Sequence, residues 1–76
     1  MYTDQMRRAF HSITPPKNFG IELIDVDNFI KIKLNERDFT RMTHDDKLEA
    51  VKYVSKVKKA LEMEGAIVLV VREPLK

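Results

Sequence analysis

No cysteine and no tryptophan occur in the 76 residues of this chain, and glycine occurs only twice. The missing thiols exclude disulfide staples, zinc ribbons and cysteine nucleophiles together, which leaves histidine and carboxylate as the possible metal ligands. Neither glycine sits in a phosphate-cradling loop, and no G-x-S-x-G or H-E-x-x-H run is present. Long apolar runs are missing too. Nothing approaches the roughly 20 residues that span a bilayer, and the charged N-terminal stretch has no apolar signal-peptide centre. The expectation is a soluble, cytoplasmic protein with no membrane partner. Charge of one sign is also scarce, for the net charge is +2. Its layout is uneven: residues 1–20 carry +2, residues 21–46 carry −3 and residues 47–76 carry +3. A dipolar chain of this kind suits contacts between opposite charges better than blanket nucleic-acid binding, which needs a larger positive excess.

What is present is enough apolar material to fold, 43% of residues against 34% charged, in a length that allows one domain. Such a short chain hides only about 60% of its unfolded surface, so help from a partner subunit is expected from the outset.

Pro15-Pro16, Gly20, Gly65 and Pro74 divide the chain. In residues 1–18, Met6, Ala9, Phe10 and Ile13 form one helical stripe, with Thr3 or Asp4 as cap and the Pro-Pro connection as terminator. Residues 19–35 switch to period two. A turn at Asp27-Asn28 sets Leu23 opposite Ile32 and Ile21 opposite Leu34 on one face, and Glu22 opposite Lys33 and Ile24 opposite Lys31 on the other, which predicts a hairpin with one buried side. Thr43-His44-Asp45-Asp46 reads as a capping box opening a helix over 43–64. That helix buries Ala50, Tyr53, Val54, Val57, Ala60 and Leu61, leaves Leu48 and Met63 outside, and stops at Gly65. The run 66–71 is apolar on both parities, so residues 66–72 read as a strand covered on both sides. A strand-helix-strand crossover makes it parallel to the second hairpin strand. The fold class is therefore α+β, order α-β-β-α-β, a three-stranded mixed sheet with the hairpin packed under one long helix.

The chemistry-bearing candidates are few. Asp25-Val26-Asp27-Asn28 begins like a calcium loop, but neither the glycine nor the closing glutamate follows, and a tight turn explains it without an ion. His11 and His44 form no ligand-like pair, and His44 beside Asp45 and Asp46 fits a helix start. Carboxylate pairs such as Glu36 with Asp38 lack an evident pocket, and a core this small leaves little room for one of about 300 Å3. No catalytic residue, cofactor or metal site is expected.

Two surface features remain. Lys52, Lys56 and Lys59 form a ridge on the long helix, with Lys58 nearby and Arg7 and Arg8 on the first helix. Together these are candidate contacts for phosphate or for an acidic partner. The second feature is apolar surface without obvious cover: Ile67, Val68 and Val70 on the last strand, Ile24 on the hairpin exterior, Leu48 and Met63 on the long helix. From these we expect a small non-enzymatic interaction or regulatory module, of the accessory or phage type that its size brings to mind. It would form a dimer or higher oligomer and bind a larger, unidentified protein target. The alternative is a nucleic-acid-binding protein using the lysine ridge. The first helix folding over the far side of the sheet would remove much of the apolar signal.

Overall fold

The computed structural model describes residues 2–17, 19–35 and 40–73. Helix α1 runs Asp4–His11, strand β1 Ile21–Val26, strand β2 Phe29–Asn35, helix α2 His44–Met63 and strand β3 Val68–Glu73. This is the α-β-β-α-β order expected, with strands in the order β1-β2-β3.

Local chemistry explains each boundary. The Thr3 hydroxyl accepts the Met6 amide at 3.1 Å and caps α1. The helix ends at His11, short of Ile13, with the Ser12 amide still donating to the Arg8 carbonyl, and Pro15 bars its continuation through Thr14. Residues 27 and 28 make the turn, and the antiparallel register pairs Ile21 with Leu34, Leu23 with Ile32, Glu22 with Lys33 and Ile24 with Lys31. Thr43 caps α2 by accepting the Asp46 amide at 3.2 Å, with Asp45 and Asp46 complementing the helix dipole in the first turn.

The end of α2 is a Schellman motif. Gly65 takes φ +96°, its amide donates to the Glu62 carbonyl, and the Ala66 amide reaches back to the Leu61 carbonyl at 3.1 Å. Ala66 and Leu61 are both buried, the apolar contact that accompanies this cap. The motif consumes Ala66, so β3 starts at Val68, two residues later than its apolar run suggests. A Cβ on Gly65 would meet no atom within 4 Å, so Gly65→Ala should cost only the left-handed backbone strain, about 1–2 kcal/mol. A urea titration followed by circular dichroism measures this, and a neutral result would mean that α2 ends differently.

β3 lies parallel to β2, with Ile30 level with Val68 and Ile32 with Val70. Residues level with one another share a face, so Ile21 and Leu23, Ile30, Ile32 and Leu34, and Val68 and Val70 all point to one side. Both helices cover that side. α2 contributes Ala50, Tyr53, Val54, Val57 and Leu61 to the core, and α1, packed beside α2, contributes Met6. The Tyr2 amide donates to Asp25 on β1 at 3.1 Å, which ties the start of α1 to the hairpin. Phe19 meets Tyr53 edge-on at 6.3 Å, tying the entry of β1 to α2. The fold is therefore one helical layer on one sheet, in keeping with a Cα envelope of 33 × 27 × 14 Å. The first helix does not cross to the far side of the sheet.

Candidate interaction site

That layering leaves the far face of the sheet bare among the described residues. It carries Ile24 and Val26 from β1, Phe29, Lys31 and Lys33 from β2, and Ile67, Leu69 and Val71 from the approach to β3 and β3 itself. Ile67 is 63% exposed and Leu69 49%, whereas Ile24, Val26, Phe29 and Val71 are half-buried by their neighbours. The apolar residues run together from Val26 through Phe29 to Ile67, and Lys31 interrupts them between Ile24 and Leu69.

The sequence-predicted contacts divide accordingly. Ile67 lies on the bare face. Val68 does not: it belongs to the helix-facing parity and is 5% exposed within the core. Val70 shares that parity but stands at the margin of the sheet and stays 41% exposed. The reason is register, since Val68 sits level with fully buried Ile30 and so must point the same way. Leu69 takes the place on the bare face that sequence reasoning assigned to its neighbours. Leu48 and Met63 are exposed on α2, as the helical wheel requires.

A second apolar feature adjoins β3. A groove of about 290 Å3 runs between the strand and α2, lined by Phe19, Leu34, Ala50, Val51, Val54, Ser55, Lys58 and Val70. Val51 is half-exposed along it. Lys58, on the same flank, holds Glu62 at 3.1 Å.

Lys58 stands apart from the other lysines of α2. Lys52, Lys56 and Lys59 are exposed on the outer side of α2, Lys58 belongs to the β3 flank, and Arg7 pairs with Asp4 at 3.6 Å on α1, where Arg8 is also exposed. Lys52 leans to Glu49 at 3.8 Å. Lys52 and Lys56 border a surface cleft of about 420 Å3 between α2 and the Pro-Pro connection, with Lys17, Asp46, Glu49 and Tyr53. This is more room than the size of the core suggested, because the cleft lies outside the core, where residues 14–17 pass along the helix. Its carboxylates, Asp46 and Glu49, are exposed to solvent. Burial pushes the Tyr53 phenol above its ordinary value, which keeps it neutral. Among the described residues no three histidine or carboxylate side chains converge as metal ligands do, and no helix is long and apolar enough to cross a membrane. Comparison with family models, with curated proteins and with solved structures found no match to this chain.

Proposed function

We propose that this protein is a non-enzymatic interaction module that associates with itself and presents its sheet to a larger protein partner. The observation that carries this reading is the bare apolar face, with Ile67 and Leu69 half-exposed or more on a sheet whose helices both lie on the other side. Apolar surface of this kind on a small domain marks a contact surface. Closed two-fold association is the commonest way for such a chain to meet a copy of itself.

Sedimentation velocity across a wide concentration range tests the self-association. The expected result is a concentration-dependent dimer that persists or strengthens as salt is added. A well-folded monomer at every concentration would overturn the reading. Changing Lys52, Lys56 and Lys59 together to Glu should leave both fold and dimer intact, since all three side chains are exposed. Wild-type binding to mixed-sequence DNA or RNA that survives physiological salt and vanishes in this variant would instead make the outer lysines a phosphate-contacting surface.

A further inference from the structure

The main chain of β3 narrows how two copies meet. The Ile30 amide donates to the Ile67 carbonyl at 2.8 Å, and Ile30 is level with Val68. In a parallel ladder a residue bonds to the two residues flanking its partner, so alternate residues of a strand face its neighbour. The amides and carbonyls of Leu69 and Val71 therefore face β2, and those of Val68, Val70 and Arg72 point outward. Among the described residues no strand lies beyond β3 to receive them. An open edge of this kind is a template for another strand.

We propose that the second copy docks edge to edge, β3 antiparallel to β3 about a two-fold axis through Val70. The inference rests on the self-association proposed above and specifies its geometry. The outward residues of β3 are symmetric about Val70. An axis there pairs Val70 with Val70 of the second copy and Val68 with its Arg72, so that every outward amide and carbonyl of the strand finds a partner. A shift of two residues either way leaves one of those residues outside the ladder. An odd shift sets each outward residue against one whose amide and carbonyl already face its own β2, so no ladder forms.

With the axis at Val70 the helices of both copies stay on one side, and the apolar groove lined by Val51 and Val70 closes against its own copy. Lys31 argues against the competing arrangement, in which the bare faces stack. It sits in the middle strand of that face, and stacking would sink two lysines into an apolar contact. The edge dimer instead joins the bare faces into one continuous six-stranded surface open to the larger partner.

The absence of native cysteine makes the test direct. Val70→Cys and Leu69→Cys are each oxidised at a concentration where the wild type sediments as a dimer, with folding checked by circular dichroism. In the edge dimer the Val70 positions form a hydrogen-bonded pair with Cα atoms about 5.5 Å apart, within disulfide reach, while the two Leu69 positions lie diagonally at about 7–8 Å. Val70→Cys should therefore form the covalent dimer roughly tenfold faster or more, given that separation. Val70→Pro supplies a second readout. It removes an outward amide without removing a bond to β2, and a folded Val70→Pro protein should be monomeric. Faster crosslinking through Leu69→Cys, or a dimer in which neither cysteine crosslinks, overturns the edge geometry and leaves self-association standing. A monomeric wild type overturns both.

Discussion

Replacing Ile32 with alanine should cost about 2–4 kcal/mol, from the lost transfer energy and the cavity left behind. Ile32 has no exposed surface. It occupies the middle strand, level with Leu23 on one side and Val70 on the other, and belongs to the same buried cluster as Val54, Val57 and Leu61. At roughly 0.05–0.15 kcal/mol per residue a chain of this length has about 4–11 kcal/mol of stability in total, so one substitution removes a large share of it. Lys31→Ala, one residue away on the opposite face, should change stability by less than about 0.5 kcal/mol. Urea denaturation of the two variants side by side measures the contrast. Equal and mild effects would mean that the hairpin does not bury the Ile30, Ile32 and Leu34 parity.

The hairpin was legible in the sequence because two independent signals agreed. Asp27-Asn28 favours a turn, and that turn brings the apolar parities of β1 and β2 to the same side, whereas a one-residue slip would strand Leu23 or Ile32 in water. The caps of α2 were legible for a similar reason: Thr43 and Gly65 each bracket an apolar stripe of helical period. The facing of β3 was not. Residues 66–71 are apolar on both parities, so composition cannot say which parity meets the helices. That choice is made by the level at which β3 lies against β2, and nothing local encodes it. The site of α1 was hidden in the same way, because a helix with the Met6, Phe10 and Ile13 stripe can cover either face of a sheet equally well. Its packing beside α2 is what leaves the other face bare. The cleft at Pro15-Pro16 depends on where a connection passes along a distant helix, which chain order alone does not specify.

The facing of β3 makes adjacent residues behave oppositely. Val68→Lys should unfold the protein or destabilise it by about 3 kcal/mol or more, because it places an unpaired charge where the native side chain is 5% exposed under the helices. Leu69→Lys should stay folded with a nearly wild-type urea midpoint, since its side chain is 49% exposed and points away from the core. In the edge dimer Leu69 lies outside the strand-to-strand bonds, so this variant should remain dimeric. It should lose binding of an apolar dye such as anilinonaphthalene sulfonate, and with it any partner that uses the bare face. Circular dichroism, sedimentation and dye fluorescence on the two variants separate these effects. A Val68→Lys protein that melts like the wild type, beside a Leu69→Lys protein that does not fold, would place Leu69 under the helices and Val68 on the open face. The bare surface on which the proposed function rests would then have to be redrawn around Val68.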